Sequence, residues 1–165
     1  MSKYKVLFVC LGNICRSPMA EGIFNELVKE KNIEHLFKID SAGTSGHHAG
    51  DLADPRMRKT AKKYGIDLIH RSRKLSFSDF YEFDYILAMD DSNLNNIQDL
   101  YRGTTEQVFI SKMRDFDLLA QGADVPDPYY GFEDGFEEVY AILKRSCTQF
   151  LDDLLEDKIK IPSSN

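Results

Sequence analysis

Tyr4 to Val9 is apolar at every position except Lys5, the short continuous run that a strand buried on both faces produces. The pattern then changes. Ala20, Ile23, Phe24, Leu27 and Val28 recur at three- and four-residue intervals and predict a helix from Pro18 to Lys31. A second strand follows at Phe37–Ser41. Asp54-Pro55 opens a basic helix that Gly65 stops. Ser76–Phe83 reads as a short helix, Asp84–Met89 as a third strand, Ser92–Arg102 as a helix and Gln107–Ser111 as a fourth, short strand. Phe136, Val139, Tyr140, Leu143, Cys147, Phe150, Leu151 and Leu154 form one apolar stripe on a long C-terminal helix. The tail, Lys158–Asn165, reads as frayed.

Strands alternating with helices predict an α/β fold, a four-stranded parallel sheet with helices on both faces. No linker, repeat or low-complexity tract interrupts the chain, so residues 1–157 read as one domain. Ligands of such folds bind beyond the carboxyl ends of the strands, where strand order reverses, and the loop after the first strand lies there.

Composition narrows the picture. At 165 residues the chain can bury a full core, and 42% hydrophobic residues is ordinary for a globular domain. No apolar run is long enough to cross a bilayer, and no secretion signal opens the chain, so no membrane association is expected. Three cysteines are too few for a disulfide scaffold and suit a reducing cytoplasm. A net charge of −6 argues against general nucleic-acid binding.

The richest stretch is Cys10-Leu-Gly-Asn-Ile-Cys-Arg16-Ser17. A strand turning sharply into a helix leaves backbone N–H groups without partners, and these make an anion cradle. A cysteine in that field is stabilised as thiolate, its nucleophilic form. Arg16 adds a planar fork for two phosphate oxygens. Leu11, Gly12, Asn13, Ile14 and Cys15 would form the cradle, with Gly12 and Asn13 taking the unusual turn conformations and Ser17 capping the helix. The bland reading is a buried core cysteine beside a structural turn, but Arg16 and Ser17 have no core role in one. Cys10 would attack phosphorus and form a phosphocysteine, Arg16 stabilising the transferred group. Asp127, in the turn-rich Val-Pro-Asp-Pro-Tyr-Tyr-Gly, is the best candidate for the acid. Tyr129 and Tyr130 beside it could wall a slot for an aromatic ring. Cys147 belongs to the apolar stripe. Cys10 and Cys15 have no second pair of ligands at suitable spacing, so no metal is expected.

Phe8-Val-Cys-Leu-Gly-Asn-Ile-Cys-Arg-Ser-Pro18 resembles the signature of the low-molecular-weight protein tyrosine phosphatases. The resemblance continues in Asp40-Ser-Ala-Gly-Thr44, Asp84-Tyr-Ile-Leu-Ala-Met-Asp90 and Asp127-Pro-Tyr-Tyr-Gly131, nearly the length of the chain. It implies the same architecture and a cofactor-free cytoplasmic phosphatase, read as a monomer, acting on phosphotyrosine-containing proteins and small aryl phosphates and releasing inorganic phosphate. It further implies that Asn13 orders the loop through Ser41 and His70, and that the Ser17 hydroxyl eases loss of the thiolate. Asp127 would serve as proton donor and then as base, and Cys15 as the redox partner that protects Cys10. The chain departs from the pattern at His47, which stands, next to His48, where many members carry an aromatic wall of the slot.

Other readings compete. A related class that removes phosphate from arginine carries threonine where Ile14 stands. Thiol-dependent arsenate reductases relay oxidation through later cysteines, and here only Cys147 follows Cys15. A phosphotyrosine-binding module without turnover would lack the nucleophile or the acid. A nucleotide-binding loop would need the glycine-rich Lys-Ser/Thr motif, which is absent.

Overall fold

The computed structural model describes residues 2–131 and 133–162. Four parallel strands, β1 (Tyr4–Cys10), β2 (Phe37–Gly43), β3 (Tyr85–Ala88) and β4 (Phe109–Lys112), lie in the order β2-β1-β3-β4. Five α-helices accompany them: α1 (Arg16–Glu30), α2 (Pro55–Lys63), α3 (Asp79–Glu82), α4 (Asp91–Tyr101) and α5 (Glu133–Leu155). Two 3-10 turns, Glu34–Leu36 and Met113–Phe116, were not foreseen from the apolar pattern, which is too short there to register a period.

The apolar run of β1 is explained by its central place. Val6, Phe8 and Cys10 belong to the core formed with α1 and α5, while Leu7 and Val9 belong to the core on the opposite face with Phe80 and Ile97. Alternation sends successive side chains to opposite faces, and both faces are covered.

The chain moves from β1 to β2 on one side, then crosses to β3 on the other. This reversal leaves a crevice at the carboxyl ends of β1 and β3. Cys10 is the last residue of β1, and Asp90 follows β3 as the N-cap of α4, its Oδ1 accepting from Asn93 N at 2.8 Å.

The strand ends differ from expectation. β1 runs on to Cys10 and β2 to Gly43, because the two pair in register over their whole length. Gly43 must be glycine: a Cβ there would lie 2.7 Å from Leu11 O and 3.1 Å from Asn13 N. The helix expected at Ser76–Phe83 forms only over Asp79–Glu82, since Asp79 Oδ2 accepts from Ser76 N at 2.8 Å and holds the preceding residues in a turn. In the expected tail, Ile159 packs against the core; residues 163–165 lie outside the described ones. No helix among the described residues is long and apolar enough to cross a membrane.

Candidate active site

The loop from Cys10 to Ser17 carries an unusual concentration of unused donors. Among the described residues, the backbone N–H groups of Leu11, Gly12, Ile14, Cys15 and Arg16 donate to no other protein group. The Asn13 N–H points at Cys10 Sγ, 3.3 Å away. Buried amides are almost always satisfied, so five free ones within six residues describe a receptor for an anion.

Asn13 sets the shape of the loop. Its φ of 57° is the left-handed conformation that asparagine tolerates. Gly12, expected to share that role, does not adopt a positive φ; instead its carbonyl accepts from Ser72 Oγ at 2.9 Å.

The side-chain amide of Asn13 uses all four of its sites. Oδ1 accepts from Arg73 N at 3.0 Å, and a backbone N–H can only donate, which fixes the orientation of the amide. His70 Nε2, 2.8 Å from the same oxygen, must therefore also donate. Nδ2 donates to Ser17 Oγ at 2.8 Å and to Ser41 Oγ at 3.0 Å.

Ser17 is not the helix cap expected of it. Cys15 occupies the N-cap without a side-chain bond, and Ser17 is the second helical residue, fully buried. Besides accepting from Asn13, its hydroxyl lies 3.0 Å from Cys10 Sγ, where either group can donate, and 3.4 Å from Ala42 O, to which it can donate.

Behind Asn13 stands a charged cluster. His70 Nδ1 faces Asp40 Oδ1 at 3.2 Å and Glu21 Oε1 at 3.4 Å, and Ser41 Oγ donates to Glu21 Oε1 at 2.6 Å. Burial works against the imidazolium, but the hydrogen bond to Asp40 and the two carboxylate charges outweigh it and hold His70 above its ordinary value. Burial likewise opposes ionisation of Asp40, yet the bond from His70, the Ser41 backbone and the Arg73 charge keep its carboxyl below the usual range. Burial pushes Glu21 up. His70 thus donates from both ring nitrogens, and its charge polarises Asn13 toward Ser17 and the sulfur.

Arg16 is 2% exposed and rigidly held. Its Nη1 donates to Asp90 Oδ2 at 2.6 Å and to Val125 O at 3.1 Å, and Nη2 approaches Asp127 Oδ2 at 3.5 Å. Asp127 lies across the slot on an exposed turn, its Oδ1 accepting from Tyr129 N at 3.1 Å.

Cys10, Leu11, Gly12, Ile14, Cys15, Arg16, His47, Asp127, Tyr129 and Tyr130, all named from the sequence, line one slot of about 200 Å³. Asn13, Ser17, Ser41 and His70 stand behind it. Tyr130 sits at the rim, 91% exposed. His48 does more as a wall than His47. Its ring lies 6.1 Å from that of Tyr129, and its Cδ2 would be 3.2 Å from a Cβ on Gly12. The three cysteines are free thiols. Burial pushes the Cys15 thiol far up, and the charges of Asp54, Cys10 and Asp127 add to the effect, so Cys15 stays protonated.

Sequence reasoning missed Asp90, Glu21, Asp40 and Arg73 as site residues. Asp90 had a signal: an acid closing a strand and capping the next helix at the ligand-binding edge. Glu21, Asp40 and Arg73 had none, because they meet only once α1 and the segment before α3 pack beside β2.

The family model described as "Low molecular weight phosphotyrosine protein phosphatase" matches residues 5–160. A relative of that name from Schizosaccharomyces pombe is 46% identical over 149 residues, covering 89% of this chain and 94% of its own. One from Homo sapiens is 43% identical over 151 residues, 89% of this chain and 93% of its own. Among solved structures, a protein tyrosine phosphatase from Entamoeba histolytica with Hepes in its active site superposes with a TM-score of 0.87 at 42% identity, covering 94% of this chain and 99% of that one.

Proposed function

The chain belongs to the low molecular weight phosphotyrosine protein phosphatase family, and on that premise we propose how its own residues hydrolyse phosphotyrosine. The phosphoryl group seats on the free amides of the loop and on the Arg16 guanidinium. Cys10 Sγ attacks phosphorus in line, forming the S–P bond as the P–O bond to the phenol breaks. Asp127 gives its proton to the departing oxygen. In the second step Asp127 takes a proton from water, the water oxygen attacks phosphorus, and the sulfur leaves with the Ser17 hydroxyl donating to it. Inorganic phosphate is the product.

The observation that carries this reading is the conjunction around one buried sulfur: five unused amides, a fixed guanidinium, and a carboxylate across the slot. The rigidity of Arg16 matters, because donors already oriented toward the developing charge need no reorganisation. Ile14 gives the slot an apolar lining that favours an aromatic ring over phosphoarginine. We read the protein as a cytoplasmic monomer, since three cysteines are too few for a disulfide scaffold. Cys15 as redox partner would attack a Cys10 sulfenic acid to give the disulfide and water. Because burial holds its thiol protonated, that attack must be preceded by loss of the Cys15 proton. Hydrolysis of an aryl phosphate in the presence of a chelator, by wild type and Cys10→Ser, tests the proposal. Wild type should be unaffected and the variant inactive, whereas a chelator-sensitive activity that survives in the variant would refute it.

A further inference from the structure

A second depression, a groove of about 690 Å³, lies on the far side of the ribbon that walls the slot. The ribbon is built from two short segments. Gly50 N donates to Ser72 O at 2.8 Å, Ser72 N donates to Asp51 O at 2.7 Å, and Leu52 and Arg71 form an antiparallel bridge. His47 and His48 face the slot from this ribbon, and Leu52 and Arg71 face the groove.

The charge of the groove runs against that of the protein. The chain carries a net −6, yet α2 (Pro-Arg-Met-Arg-Lys-Thr-Ala-Lys-Lys) holds five cations and no acid. Arg56 pairs with Asp54 at 2.8 Å and Lys63 with Glu137 at 2.8 Å, and Lys59 also has a partner. Arg58, Lys59 and Lys62 line the groove with Arg71, against Asp67, the one acid among its described lining residues. Arg58 Nε donates to Ala53 O and Arg71 Nη1 to Gly50 O, both at 3.0 Å. These bonds fix the two guanidinium groups without neutralising them, and neither makes an ion pair among the described residues. Between the cations lie apolar surfaces, Leu52 and the side chain of Ile69, which is 83% exposed.

We infer that this groove is a docking surface for an acidic, aliphatic-containing segment flanking the phosphotyrosine of the substrate protein. The inference rests on the phosphatase reading above and adds a substrate class to it. A chain leaving the slot over His47 and His48 reaches the groove by crossing one ribbon. Fixed cations then meet its carboxylates, and Leu52 and Ile69 meet its aliphatic residues.

The test compares phosphotyrosine peptides carrying Asp/Glu/Leu-rich, neutral or Lys-rich flanks on either side. Substrates are offered to wild type, Lys62→Glu/Arg71→Glu and the milder Lys62→Gln/Arg71→Gln, with an aryl phosphate as control. Wild type should favour an acidic flank on at least one side by about five- to tenfold in kcat/KM over neutral. The preference should shrink as salt rises. Both variants should lose it while turning over the aryl phosphate as wild type does. Equal rates on all flanks, or a preference that survives in both variants, would overturn the inference. So would a flank-blind enzyme whose groove substitutions instead abolish binding to phosphatidylserine vesicles or self-association. Failure of the wild type on the aryl phosphate would strike the phosphatase reading itself, so the two failures are distinguishable.

Discussion

The loop 10–17 and the segment 124–131 face the same slot and are built in opposite ways. In the loop, Asn13 uses every site of its amide, Arg16 is 2% exposed, and Ser17 is fully buried. In the segment, Val125 and Pro128 are buried, but Asp127, Tyr129 and Tyr130 stand in solvent. Its first two residues are well tied. The Asp124 carbonyl accepts from Arg114 Nη1 at 2.8 Å and its carboxylate pairs with Lys112 at 2.8 Å, while Val125 N donates to Met89 O at 2.8 Å and Val125 O accepts from Arg16. Beyond them Asp127 meets Arg16 Nη2 only at 3.5 Å, and Tyr129 O accepts from Arg56 Nη2 at 2.9 Å. The difference matches the two tasks. A receptor for a trigonal-bipyramidal phosphoryl group works by being already in place. A proton donor must let the substrate in and then meet an oxygen whose position depends on that substrate.

Substitutions can break the comparison at several depths. Cys10→Ser should lower turnover by about 10⁴-fold or more, because the two-step path is lost. It should still bind phosphate or vanadate, since the amides and Arg16 remain, and calorimetry would show this. Asp127→Ala should cost about 10²- to 10³-fold on phenyl phosphate. The loss should shrink toward unity as the leaving group becomes more acidic, with stability changed by less than about 0.5 kcal/mol, as for an exposed loop residue. A linear free-energy series and a melting curve check both parts. Equal losses across the series would mean that the segment acts by shape and not by proton transfer.

Asn13→Ala probes the rigid side. It leaves the Ser17 and Ser41 hydroxyls and the Arg73 N–H short of partners and puts a β-carbon residue without a polar side chain at φ 57°. The expected result is a loss of about 2–3 kcal/mol of stability and about tenfold in kcat. Asn13→Asp, which keeps Oδ1 but cannot donate to both serines, should recover part of the stability and little of the rate.

How much of this could be read from the chain differs between the two regions. The loop was legible because its chemistry is contiguous: sulfur, amides and guanidinium fall within eight residues at the end of an apolar strand. Asp127 was legible as a candidate because prolines flank it and tyrosines follow. Ser17 was misjudged as a cap, because the helix begins at Arg16, two residues earlier than the sequence suggested, with Cys15 at the N-cap. The support behind Asn13 was partly hidden. Ser41 and His70 came from the resemblance, while Glu21, Asp40 and Arg73 come from three separate elements and carry no local pattern. The sheet was legible from its apolar runs. Its strand ends were not, since pairing with a neighbour decides where a strand stops.

The smallest effect is a pH dependence that separates the two regions. The folded value of His70 lies above its ordinary 6.5. Its contribution to stability is therefore complete below about 6.5 and declines as pH rises through the folded value. The melting temperature of wild type should fall relative to His70→Gln over that window, and the ring protons of His70 should titrate above 6.5 in an NMR series. A midpoint at or below 6.5 would mean that the imidazolium does not polarise Asn13 in that window.

The central claim is that the phosphoryl group passes through a covalent bond to the sulfur that ends β1. Rapid acid quench of the enzyme turning over an aryl phosphate, followed by peptide mass spectrometry, reads it directly. The account predicts a phosphate adduct on Cys10, enriched in Asp127→Ala with an acidic leaving group, where formation outruns hydrolysis. An enzyme that turns over while carrying no adduct, or one that carries it on any other residue, would contradict it.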